Sequence, residues 1–187
     1  MSAATTVTST PGLTSWELDP AHSSVQFAVR HMMVSNVRGE FTKISGTVQI
    51  DTRDITRSSV HAVIDAASIS TRDEQRDQHL RSPDFLDVAN FPTIEFQSTR
   101  VSRDSNGGLK LAGNLTIHGV TKEIVLDVED GASELRDPWG NTKRGASATT
   151  KLNRKDFGLR WNVALETGGF VVGDELKIEI DVELLKK

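Results

Sequence analysis

The chain has 187 residues, of which 36% are hydrophobic and 26% charged, with a net charge of −4 and no cysteine. That length fits one domain with a real core, and the lack of cysteine excludes disulfides, thiolate zinc centres, iron–sulfur clusters and thiol nucleophiles. The acidic balance, with Lys151, Arg154 and Lys155 only scattered, argues against nucleic acid, whose phosphates require a concentrated basic face.

Residues 1–15 are rich in Ala, Thr and Ser, without a basic start or an apolar stretch. They read as a flexible tail rather than a secretory leader, so a cytoplasmic setting is expected. A single domain is expected over residues 16–187. It contains no run of about 18 apolar residues, so no integral membrane segment is expected.

From there the pattern alternates. Val25, Phe27 and Val29 are interleaved with Ser24, Gln26 and Ala28, and similar runs follow at Val48–Ile50 and Val60–Ile64. A helix interrupts them. Beyond Pro92, strands are predicted at Ile94–Phe96, at Leu109–Ile117 and, after the turn at His118-Gly119, at Ile124–Val128. Within the second of these, Gly113 stands where another large side chain would fit. Small residues alternate at Ala146, Ala148 and Thr150, and the chain closes on Leu176, Ile178, Ile180, Val182 and Leu184 against charged neighbours. This is about eight antiparallel strands with one dry face. A closed barrel and a sandwich are the candidates.

The predicted helix spans about residues 71–81. Thr71 and Glu74 have the spacing of a capping box, and Asp73 adds negative charge to the first turn. Ser82-Pro83 reads as a second N-cap with proline at N1, so a short helical turn is expected after the helix. With Ile69, Leu80, Phe85, Leu86 and Val88 as its few apolar residues, the region can cover a barrel end but cannot build a core.

Catalytic patterns are missing. The five histidines, His22, His31, His61, His79 and His118, show no metal-ligand spacing. No nucleophile elbow occurs, and Gly107-Gly108 and Gly168-Gly169 precede strands rather than helices. No metal or cofactor is expected. The presumed inward set mixes Phe27, Phe41, Phe96 and Leu115 with Gly113, Ala146 and Ala148. Small inward residues leave room for a ligand or allow close packing, and periodicity does not choose between them.

Longer stretches resemble a known family. Thr71-Arg72-Asp73-Glu74-Gln75-Arg76-Asp77-Gln78-His79-Leu80-Arg81-Ser82-Pro83-Asp84-Phe85-Leu86-Asp87, followed by Asn90-Phe91-Pro92-Thr93-Ile94-Glu95-Phe96, is similar to the signature of the YceI-like proteins. So are Leu111-Ala112-Gly113-Asn114-Leu115-Thr116-Ile117-His118-Gly119, the opening Trp16-Glu17-Leu18-Asp19-Pro20-Ala21-His22 and the late Asn153-Arg154-Lys155-Asp156-Phe157-Gly158-Leu159-Arg160-Trp161. The resemblance implies an all-β, extended eight-stranded antiparallel lipocalin-like barrel. It also implies non-catalytic binding, carriage or storage of a long isoprenoid or similar amphiphile (a polyprenyl phosphate, a quinone tail, a fatty amide), often by a homodimer. Two other readings stand beside it: an isoprenoid-modifying enzyme with polar groups in the lumen, and a stress-associated interaction protein with a filled barrel.

The expected lumen lining is Val25, Phe27, Val29, Phe41, Ile64, Phe85, Phe96, Leu115, Ile117, Leu126, Phe157 and Trp161. A polar head would sit at a mouth, where desolvation costs less. The candidates there are His31, Arg38, Arg72, Arg76, His79 and Arg81.

Overall fold

A computed structural model describes residues 12–131 and 133–187. In chain order it contains β1 (Leu13–Leu18), β2 (Ser24–His31), β3 (Ser35–Phe41), β4 (Ile44–Asp51), β5 (Ser59–Asp65), β6 (Ile69–Ser70), α1 (Glu74–Arg81), β7 (Thr93–Arg103), β8 (Leu109–Ile117), β9 (Val120–Asp130), β10 (Leu135–Arg136), β11 (Thr142–Asn153) and β12 (Val172–Lys186). Of the tail expected over residues 1–15, residues 1–11 lie outside the described residues, and Leu13, Thr14 and Ser15 already stand in β1.

The strands close into an eight-stranded antiparallel barrel. β1 and β2 form one bent strand whose two halves lie along the same edge of β12, through Leu18↔Leu184 and Val25↔Ile180. They face β4 and β3 in the same way, through Trp16↔Val48 and Phe27↔Gly39. β5 and β6 continue that meander, pairing with β4 and β3 in turn. β7, β8, β9 and β11 follow as neighbours, with β10 a two-residue side hairpin. The seam is β11–β12, in unbroken register from Lys143↔Leu185 to Asn153↔Glu175. The ladder between β9 and β11 is short, from Ala146↔Asp130 to Thr149↔Asp127, and the earlier part of β9 pairs with β8 alone.

The two ends differ. One carries the β2–β3 and β8–β9 turns, α1 and residues 154–171. Three of its residues, Phe27, Leu86 and Phe157, pack with Ala66, Ile69, Ile94 and Leu115 as a stopper. The opposite end is shaped by the turns after β4, β7 and β9. There Trp16 is fully buried beside Ile50 and Leu184, its Nε1–H donating to Thr14 Oγ1 at 2.9 Å.

The helix starts later than its sequence suggests. Its N-cap is Asp73, whose carboxylate accepts the Arg76 N–H, so the capping box expected at Thr71 and Glu74 does not form. Thr71 turns inward instead. Its N–H and hydroxyl both donate to Asp77 Oδ1, at 2.8 and 2.5 Å, and Arg76 Nε–H donates to its hydroxyl oxygen at 2.7 Å. Satisfying the buried Asp77 carboxylate outweighs a surface cap. After the helix the chain makes turns, with Phe85 N–H donating to the Ser82 carbonyl and Leu86 N–H to that of Leu80.

Candidate functional site

Alternate residues of every barrel strand point inward, and their side chains leave a cavity of about 250 Å³. Its wall is aliphatic and aromatic almost throughout. From the α1 end, Ile117 and Leu152 lead to a belt of Phe96, Leu115 and Ile178, and beyond it Val60, Leu109, Val128 and Ala146 line the far half. These last four are only partly buried, although they face inward.

Two glycines shape the inner surface. The Phe96 ring on β7 lies over Gly113 of β8, where an added Cβ would come within 2.4 Å of it. The Phe27 ring covers Gly39 at the same distance. A missing side chain on one strand is filled by a ring from its neighbour.

Of the expected lining, Val25, Phe41, Ile64, Phe96, Leu115, Ile117 and Leu126 face the cavity. The other five lie elsewhere. Phe27 and Phe157 belong to the stopper. Val29 pairs with Leu176 and Val37 near the β2–β3 turn. Phe85 and Trp161 meet outside the barrel with ring centroids 5.2 Å apart, and His79 packs edge-on to both.

None of the six residues expected to hold a polar head lines the cavity. Arg76 holds Thr71 through both its hydroxyl and its carbonyl. Arg81 donates to the carbonyls of Ala67 at 2.8 Å and Ile69 at 2.9 Å, fastening the helix to the strand before it. His79 Nε2 lies 2.8 Å from Asp84. Arg38 and Arg72 are exposed, and His31 ends β2. The long cations of α1 tie down the backbone around the helix.

The charged group that does line the cavity is Arg144, accompanied by Ser58, Ser147 and Thr150. It stands on β11 opposite Leu184, at the end away from α1. Its parity marked it: Arg144 shares the even-numbered face of Ala146, Ala148 and Thr150, which the alternation had already turned inward.

Two further polar knots hold the ends. Arg154 is 4% exposed and donates to the carbonyls of Leu159 (2.7 Å), Gly173 (2.8 Å) and Trp161 (2.9 Å), with Asp174 3.3 Å away. Burial lowers its pKa from the usual arginine value, and the Asp174 carboxylate opposes that. Asp19 sits at the β1–β2 bend, accepting from His22 Nδ1 at 2.9 Å and from the Ala21 N–H at 3.0 Å. The His22 hydrogen bond holds its carboxyl below the usual range against burial, with the Ala21 N–H and the charges of His22 and Lys143 assisting. Asp19, His22 and Glu183 bring ligand atoms within 4.8 Å of one another, the one such group among the described residues. Lys143 Nζ stands 2.5 Å from Glu183 and 3.6 Å from Asp19, so an ammonium already takes the place a metal ion would fill.

Comparison with known proteins adds four likenesses. The YceI-like domain family matches residues 16–184. A UPF0312 protein of Staphylococcus aureus is 36% identical over 171 residues, covering 91% of this chain and 97% of the relative. The crystal structure of a Campylobacter jejuni YceI protein superimposes with a TM-score of 0.69 at 30% identity, over 84% of this chain and 90% of that one. A structure described as a polyisoprenoid binding domain from Saccharophagus degradans shares the fold, with a TM-score of 0.64 at 15% identity over 93% and 99% of the two chains.

Proposed function

This chain belongs to the YceI-like family, and from that premise we propose that its barrel binds a long-chain isoprenoid or similar amphiphile and carries or stores it unchanged. One observation carries the reading: a closed barrel encloses a cavity of about 250 Å³ with an almost wholly apolar wall. No histidine or carboxylate lines it among the described residues, which favours holding a ligand over converting one. The Saccharophagus neighbour, described as polyisoprenoid-binding, supports the ligand class.

Energetics fit a tail-first mode. Each five-carbon isoprene unit yields roughly 4 kcal/mol when fully desolvated, at ~0.8 per CH₂. Four units reach ~16 kcal/mol before the losses of immobilisation, close to the ceiling of non-covalent affinity. At about 250 Å³ the cavity lies just below the usual range for ligand sites, about 300–1,000 Å³, so a short tail fits inside and a long one bends or protrudes. Arg144 offers a guanidinium to an anionic head, such as that of a polyprenyl phosphate, and Ser58 offers a hydroxyl to a neutral one.

The test is mass spectrometry of an organic extract from natively purified protein, with titration of a polyprenyl or quinone probe. Co-purifying lipid or saturable probe binding is expected, and Phe96→Glu and Leu115→Glu are expected to abolish it while leaving a folded barrel. Neither lipid nor probe binding would overturn the carrier reading. Undiminished loading in the folded Glu variants would move the ligand out of the lumen.

A further inference from the structure

The end of the barrel that bears α1 carries a second feature, unrelated to the lumen. The β2–β3 turn, Met32-Met33-Val34, is joined to the 162–171 loop by the Met32 N–H, which donates to the Val171 carbonyl at 2.8 Å. Met33 covers Gly169, where an added Cβ would meet its sulfur at 2.2 Å. These two loops expose Met32, Met33, Val34, Val163 and Phe170, by 45% to 77%. None of the five lines the cavity.

The turn breaks a local rule. Met32 and Met33 both have positive φ, +47° and +62°, and the Val34 N–H closes on the His31 carbonyl at 3.1 Å. Such positions select asparagine and glycine, because a bulky side chain is strained there. The same chain respects the rule at the β8–β9 turn, where His118 and Gly119 take +52° and +71°. Two large apolar residues thus stand where both folding and solubility prefer small polar ones. They fill no core. Strain retained at an exposed position points to what the side chains do outside.

The surroundings indicate the partner. Arg30 donates to the Met33 carbonyl at 3.0 Å. Arg38 and Lys177 both pair with Ala28, on the outward row of three adjacent strands, and Arg160 is exposed on the approach to the second loop. Among the described residues none of these four cations enters an ion pair, and Glu166 is the one carboxylate of the two loops. On a chain of net charge −4, an exposed apolar tip backed by these cations is complementary to an anionic lipid surface. The carboxylates of the same outward row, Glu40 and Glu179 opposite Gln26, stand farther from the tip.

We propose that this end of the barrel docks on an anionic phospholipid bilayer, with Met32, Met33, Val34 and Phe170 entering the interface and Arg30, Arg38, Arg160 and Lys177 meeting the headgroups. The occupant is the bilayer itself, not a ligand of the lumen, so docking and lumen binding fail separately.

The test is co-sedimentation of the full chain with phosphatidylcholine vesicles and with equimolar phosphatidylcholine–phosphatidylglycerol vesicles. Binding to the anionic vesicles is expected, falling as salt is raised. The double variant Met32→Asn/Met33→Gly is expected to lose about tenfold or more of that binding while unfolding at the same or a higher temperature, because the turn is relieved. Phe170→Ser should weaken binding with no change in fold. Wild-type protein left in solution with both vesicle types would overturn the proposal, as would a double variant that pellets like wild type. A wild-type dimer that the double variant converts to a monomer, with no vesicle binding by either, would make the patch a contact between copies of the chain and likewise overturn it.

Discussion

The imidazole of His79 meets Trp161 edge-on, with ring centroids 4.6 Å apart and planes at 90°. This contact joins α1 to the segment that leads from the Phe157 stopper to β12, two parts of the chain separated in sequence by β7 to β11. Phe85 completes the group from the turns after the helix, 5.1 Å from His79. Asp77 is the one fully buried residue of α1, so these rings and the carbonyls held by Arg81 add to the attachment that Leu80 and the Thr71–Asp77 hydrogen bonds supply.

Replacing Trp161 with alanine is therefore expected to free the helix before it unfolds the barrel. A loss of about 2–3 kcal/mol is expected for a partly buried aromatic anchor. Hydrogen exchange should accelerate over residues 74–86 and stay slow in β11 and β12. Unchanged exchange over the helix would show that the rings do not hold it.

Thr71 anchors the helix differently. Thr71→Val removes the hydroxyl that donates to Asp77 and accepts from Arg76, leaving a buried carboxylate short of a donor. A cost of about 2–3 kcal/mol follows, whereas Thr71→Ser should fall within about 1 kcal/mol of wild type. Denaturant midpoints of the two variants check this.

Arg154→Leu leaves the carbonyls of Leu159, Trp161 and Gly173 without their shared donor. The expected loss is about 3 kcal/mol or more. Arg154→Lys should recover little of it, because a point ammonium cannot satisfy a fork of carbonyls. Thermal unfolding of both variants distinguishes a geometric role from one of charge alone.

Filling the lumen should separate loading from stability. Ala146→Phe points a ring into the cavity on the same face as Arg144. The folded barrel should unfold at a temperature no lower than wild type, while probe binding falls at least about tenfold through lost tail space. Full binding with the ring in place would place the ligand elsewhere.

Asp19 makes stability depend on acid. Its folded pKa lies below the ordinary value of 3.8, chiefly through the His22 hydrogen bond, with Lys143 adding a smaller share. A depressed carboxylate contributes stability that is present above its unfolded pKa and lost as pH falls through the folded one. Asp19→Asn is thus expected to cost about 1 kcal/mol at neutral pH, with the difference from wild type shrinking below pH 3.8. Urea unfolding at neutral pH and at progressively lower pH would test the sign.

Much of the barrel was legible because alternation is a direct consequence of strand geometry. Leu176 to Leu184 declare their dry face by parity, and Ile178, Ile180, Val182 and Leu184 do line the cavity. What failed was reading inward as lining. Phe27 has the parity of Val25, yet it lies one level nearer the α1 end and goes to the stopper, since parity carries no information about depth along a barrel. The helix cap failed because Asp73 and Thr71 compete for the same role, and only the burial of Asp77 decides between them. Sequence spacing does not show that Arg81 faces backbone rather than a ligand, because its acceptors, the Ala67 and Ile69 carbonyls, become neighbours only after folding.

The seam between β11 and β12 has a consequence for synthesis. Residues 172–186 pair with β1, β2 and β11, so the ribosome delivers the closing strand after every strand it joins. Until then the nascent chain is a curled sheet with its apolar concave face wet, and non-local closure of this kind is slow. A ribosome paused before Val172 would hold an open trough, a target for holdase chaperones or for the same strand of another molecule. The interior is therefore sealed only when β12 arrives.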